Sequence, residues 1–89
     1  MQTVFLDASK MKTMEEAQEH LRESFAFPDY FGGGLDALYD CLTELCEDIT
    51  IAVPKELSAP EFLGSYGARM INVFQDAGDN NSHLHIELV

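Results

Sequence analysis

FPDYFGGGLDALYDCLTEL, residues Phe27 to Leu45, holds a helix breaker, a glycine run and an amphipathic helix in succession. Pro28 disfavours helix at Phe27 and closes whatever precedes it. Two adjacent aromatics, Tyr30 and Phe31, lead into Gly32, Gly33 and Gly34. Glycines lose much backbone entropy on ordering, so a run of them suits a tight turn or a close approach to a partner. Beyond the run, Leu35, Leu38, Leu42 and Leu45 recur at helical spacing as one apolar stripe. At about 100° per residue, Asp36, Asp40 and Thr43 fall within roughly 60° of one another and about 160° from the centre of that stripe. Tyr39 lies between the two faces. One helix therefore turns leucines to a core and two aspartates to water, beside a glycine loop bearing aromatics.

Acids at i and i+4 repel each other slightly. Asp36 recovers part of that loss from the helix dipole; Asp40, a turn further in, recovers little. In an acidic protein such a pair most often forms a solvated face and nothing more. The conjunction of paired acids, aromatics and a glycine loop in one short stretch points instead to a recognition surface.

Working outward, Thr3-Val4-Phe5-Leu6 reads as a buried strand. Thr13-Met14-Glu15-Glu16 fits a capping box. The helix it opens places Met14, Ala17, Leu21 and Phe25 on one face, with His20 near the solvated side. On the other flank, Ile49 to Val53 is the clearest strand, ended by Pro54. Ser58-Ala59-Pro60-Glu61 suggests a short helix with a serine cap and proline in the first turn. From Gly67, a second apolar stripe runs through Met70, Ile71, Phe74 and Ala77, and Gly78 stands where a helix would close. Asp79 to Ser82 reads as a turn. Leu84, Ile86 and Leu88 then alternate with His83, His85 and Glu87, a strand with one polar face. Strands separated by helices suggest a parallel sheet with helical crossovers.

At 89 residues the chain fits one domain of modest core. Its 46% apolar content argues against disorder. A formal net charge of −11 repels nucleic acid and anionic membranes and favours basic partners through long-range steering. No window approaches the ~20 apolar residues of a membrane span. The opening MQTVFLDASK lacks the basic segment and long apolar run of a signal peptide, which points to the cytoplasm. Cys41 and Cys46 on one helix would be separated by a rise of ~7.5 Å, beyond ordinary disulfide reach, and are expected as free thiols.

Three catalytic or ligand readings compete. His83 and His85 share a strand face, but no third metal ligand is placed by the sequence. Asp36, Asp40 and Glu44 could hold Mg²⁺ for phosphoesterase chemistry, yet no lysine or arginine lies near to receive a phosphate. A phosphate cradle fails too: the glycines follow aromatics rather than a strand, and Asp36 and Asp40 would repel the ligand. No cofactor is expected. The inverse role fits better, with a helix carboxylate occupying the place of a phosphate in a basic cleft. An acidic module for a basic partner that is not a nuclease is a further alternative.

The segment PDYFG (28–32) followed by GLDALYDCLTEL (34–45) resembles the barstar family of intracellular inhibitors of barnase-type ribonucleases. That family's pattern is P-x-Y-[YF]-G-x-N-L-D-A-L-[WY]-D-x-L. Pro28, Tyr30, Phe31, Gly32, Leu35, Asp36, Ala37, Leu38, Tyr39, Asp40 and Leu42 match it; Gly34 stands where the family has asparagine. GARMINVFQDAG (67–78) is a weaker echo. The resemblance implies one barstar-like α/β domain over residues 1–89, a small three-stranded parallel sheet with about four helices, and no enzymatic activity. It also implies a monomer that forms a 1:1 complex with a basic, extracellular-type ribonuclease, the central helix and its preceding loop plugging the active site. Tyr30, Gly32, Gly33, Gly34, Leu35, Asp36, Tyr39, Asp40, Thr43 and Asp76 are the partner-binding residues so implied. Asn80 falls where the family carries a second acid near its last helix end, which implies a somewhat different partner.

Overall fold

The computed structural model describes residues 2–25 and 34–89. Strand β1 (Gln2–Phe5) leads through a 3-10 turn to helix α1 (Met14–Phe25). Helix α2 (Leu35–Thr43) is followed by β2 (Ile49–Val53), a second 3-10 turn (Lys55–Ser58), helix α3 (Ser65–Asn80) and β3 (Leu84–Leu88). The three strands form one parallel sheet in the order β1-β2-β3. Register fixes the faces: Val4, Ile51 and Ile86 share one row and Phe5, Ala52 and Glu87 the next. No described helix is long and apolar enough to cross a membrane.

The core lies on the Val4–Ile51 side. Leu38 and Leu42 of α2, Met70, Phe74 and Ala77 of α3, and Ala17 and Leu21 of α1 join it. The opposite side of the sheet is only partly covered. Phe5 is 75% exposed and Thr3 is exposed as well, so the expectation of a wholly buried first strand holds for Val4 and Leu6 and fails for Thr3 and Phe5. An apolar run carries no alternation from which to read a solvated face. Every residue of β2 is buried, because its outward side chains, Thr50 and Ala52, are small and flanked by both neighbouring strands. The sheet is also polar along His85 and Glu87, as the alternation in β3 implied.

Local chemistry explains the helix limits. Thr13 Oγ1 accepts from the Glu16 N–H at 3.1 Å and donates to Glu16 Oε1 at 3.3 Å, a cap on α1 in which the glutamate takes the hydroxyl proton and not the Thr13 N–H of the expected capping box. Met14 on that helix is half exposed rather than core. His20 is not merely solvated: its Nε2 accepts from the Asp7 N–H at 3.0 Å and ties α1 to the end of β1. There are three α-helices among the described residues, not about four. The short helix expected at Ser58–Glu61 is replaced by the 3-10 turn before it, where the Ser58 hydroxyl donates to the Lys55 carbonyl at 3.1 Å. Ala59 precedes Pro60 and is forced into the extended region, with ψ at 148°.

Helix α3 begins at Ser65, before Gly67, and continues past Gly78 to Asn80. Both glycines serve packing. A Cβ at Gly67 would overlap the carbonyl of Leu57, and one at Gly78 would lie 3.0 Å from Ile86 Cγ1. They let α3 settle on the second 3-10 turn and on β3. Gly78 is therefore an interior contact residue and not the expected helix stop. Asp79 and Asn80 complete the helix instead of opening a turn.

Candidate functional site

Helix α2 is short, and its nine residues divide cleanly. Leu38 and Leu42 are fully buried, Leu35 and Tyr39 half-buried against the core, and Asp36 and Asp40 exposed. Neither aspartate forms an ion pair among the described residues. Asp36 sits in the first turn, where the open N–H groups favour an anion. Thr43 stands one turn beyond Asp40 and is half-buried. Its hydroxyl donates, shared between the carbonyls of Tyr39 and Asp40, at 3.0 and 3.1 Å. Gly34 is the N-cap, extended at φ −75°, with no side chain to hold the first turn. The helix ends at Thr43, so Leu45, expected as the last member of its stripe, lies just beyond it, half-buried.

What fixes this helix is partly polar. Asn81, only 7% exposed, donates from its side-chain amide to the carbonyls of Leu42 at 3.0 Å and Leu45 at 2.9 Å. Leu42 is among the last-turn carbonyls that a helix leaves without an i+4 partner, and Leu45 lies two residues beyond the helix end. The Oδ1 of the same side chain accepts from the His83 N–H at 3.0 Å. His83 Nδ1 in turn donates to Asp48 Oδ1 at 2.9 Å, and this hydrogen bond is the chief reason the Asp48 carboxyl titrates below its ordinary range. The turn before β3 thus grips both the end of α2 and the start of β2.

Reading the sequence did not find Asn81. It sits in a run of polar residues that signals a turn, and nothing in such a run distinguishes the one buried amide. His83, weighed as a metal ligand, is engaged with Asp48. No group of three or more His, Cys, Asp or Glu residues able to hold a metal occurs among the described residues.

The remaining candidates fall into three sets. Leu35, Asp36, Tyr39, Asp40 and Thr43 share α2, with Gly34 as its cap. Asp76 is exposed on α3, which packs against α2. Among the described residues no hydrogen bond or ion pair joins Asp76 to Asp36 or Asp40; it borders a groove of about 570 Å³ that includes Asp79 and His85. Tyr30, Gly32 and Gly33 lie outside the described residues. Asn80 folds its amide back onto the Asp76 carbonyl at 2.9 Å.

Both cysteines are free, though not for the expected reason: Cys46 is beyond the helix and exposed, whereas Cys41 is buried. Burial, and secondarily the carboxylates of Glu44 and Asp40, raise the Cys41 thiol above its ordinary value.

Comparison with known proteins agrees with this architecture. A family model described as Barstar (barnase inhibitor) matches residues 1–89. YrdF of Bacillus subtilis (strain 168), whose own assignment as a ribonuclease inhibitor is provisional, is 33% identical over 78 residues, covering 86% of each chain.

Proposed function

This chain belongs to the barstar family, and on that premise we propose that it is an intracellular inhibitor of a basic, barnase-type ribonuclease, with α2 plugging the active site. Family and relative support an inhibitor rather than an enzyme. The observation that carries the finer reading is the pair of exposed carboxylates on α2, one turn apart and without a cation among the described residues, on a helix locked beneath by Leu38 and Leu42.

A nuclease cleft is lined with arginine and lysine that bind substrate phosphate. Asp40, held on a rigid helix, presents two acceptor oxygens to those groups and forms charge-assisted hydrogen bonds with them. Because the helix is ordered before binding, little conformational entropy is lost on association. Asp36 and Thr43 flank this contact, Tyr39 covers apolar surface at its edge, Asp76 adds an acid from α3, and Tyr30 is carried over from the family as a further contact residue. The net charge of −11 steers the encounter and speeds association at low salt. That rule was drawn in part from barnase and barstar, so the expectation is inherited from the family.

The test is titration of a purified barnase-type ribonuclease with this protein at low and high ionic strength. The reading predicts activity falling to zero at one equivalent, with association slowing as salt rises. Undiminished nuclease activity in excess protein would refute it.

A further inference from the structure

We propose that Asn81 is a positioning residue for inhibition, acting through the C-terminal turn of α2; the assignment rests on the inhibitor reading above. Its amide reaches across the fold to donate to the carbonyls of Leu42 and Leu45. Those carbonyls flank Thr43 and lie two and five residues beyond Asp40. A nine-residue helix has little rigidity of its own, since helices this short are marginal without tertiary support. The leucine stripe fixes how far α2 sits from the sheet, but apolar contacts are non-directional and set rotation about the helix axis weakly. Two directional hydrogen bonds, to the Leu42 carbonyl in the last turn and the Leu45 carbonyl just beyond it, fix that rotation. The angle at which Asp40 and Thr43 face a partner is set there.

The geometry of Asn81 suits this task. Every polar group of the side chain is used: both carbonyls receive its N–H groups, and Oδ1 accepts from His83. Satisfied buried networks of this kind select one arrangement over its neighbours, because a small rotation strands buried polar groups. The His83–Asp48 bond beside it holds the following turn against the α2–β2 loop, so the latch has a fixed base. Asn81 is buried beneath the end of α2, and its effect on a partner is indirect.

The experiment compares the parent, Asn81→Ala and Asn81→Asp at a temperature where thermal unfolding shows all three folded. Asn81→Asp keeps the size and the acceptor for the His83 N–H but places carboxylate oxygens against the two carbonyls. Association and dissociation rates with a barnase-type ribonuclease are measured for each, and again with Asp40→Ala added. For Asn81→Ala, which leaves the net charge unchanged, association should stay within about twofold while dissociation rises about tenfold, the size of coupling through a shared network. With Asp40 already removed, the same change should alter dissociation by less than about twofold. Amide exchange in the free protein should quicken at Thr43 to Cys46 and not in β2.

Equal loss with and without Asp40, or a parent-like dissociation rate in Asn81→Ala, would overturn the assignment while leaving the inhibitor reading intact. A parent that binds no such nuclease would overturn both.

Discussion

Replacing Gly67 with alanine should destabilise this protein, although alanine is the better helix former. On backbone grounds alone the change should help. Glycine within a helix costs about 0.5–1 kcal/mol relative to alanine, chiefly because the unfolded chain is freer at glycine. The structure opposes this locally. The new Cβ would overlap the carbonyl of Leu57 and stand 3.0 Å from Leu63 Cβ. The first obstacle is backbone, which has no rotamer by which to yield. Helix α3 must therefore back away by about 1 Å, and a gap of that size forfeits a quarter to a half of the dispersion energy at each contact it opens. The contacts at risk are those of Met70, Phe74 and Ala77, none more than 1% exposed. Overpacking of this kind typically costs 1–3 kcal/mol and occasionally more. Backbone overlap belongs at the upper end, so the net loss should be about 2 kcal/mol. For a domain of this size that lowers Tm by roughly 10 °C. Urea denaturation of parent and variant, with matching m-values, measures it. A variant equal to or more stable than the parent would show that α3 does not rest on the Leu57 carbonyl as described.

Gly34→Asn should act in the opposite sense. A Cβ there meets nothing within 4 Å and the backbone is already extended, so an asparagine cap should add about 0.5 kcal/mol in the same denaturation assay; a loss would mean that this position requires glycine. Thiol titration of the unfolded, unreduced protein should find two free groups. In the folded protein Cys46 should alkylate at least about tenfold faster than buried Cys41, whose thiol is held above its ordinary pKa; equal rates would contradict the placement of Cys41 in the core.

Periodicity carried most of the fold because apolar spacing is imposed by the core itself. The stripes of α1, α2 and α3, the β2 run and the alternation of β3 all placed their elements. Failures came where one residue type serves two ends. Pro60 is compatible with a first helical turn, but its effect on Ala59 ended a 3-10 turn instead. Gly78 resembles a helix stop, yet it is kept for contact with Ile86, information held in a distant strand. Phe5 shows the converse limit: hydrophobicity alone does not reveal that one face of a sheet is open. At the candidate site, Asp36 and Asp40 could be placed on the solvent face from spacing, since the core stripe settles which side of a helix faces water even where it leaves the finer angle open. Asn81 could not, because its burial depends on where α2 ends relative to α3.

The most direct test of the inhibitor mechanism is Asp40→Ala, measured beside Asp36→Ala for both thermal stability and ribonuclease inhibition. Both side chains are exposed and form no ion pair among the described residues, so each variant should stay within about 0.5 kcal/mol of the parent in stability. Asp40→Ala should weaken inhibition by at least ~2 kcal/mol, about thirtyfold in Kd, because cations in the nuclease cleft lose their partner. Asp36→Ala should weaken it less, its carboxylate being shared with the helix N-terminus. Full inhibition by Asp40→Ala, or a loss that tracks unfolding, would contradict the role assigned to α2.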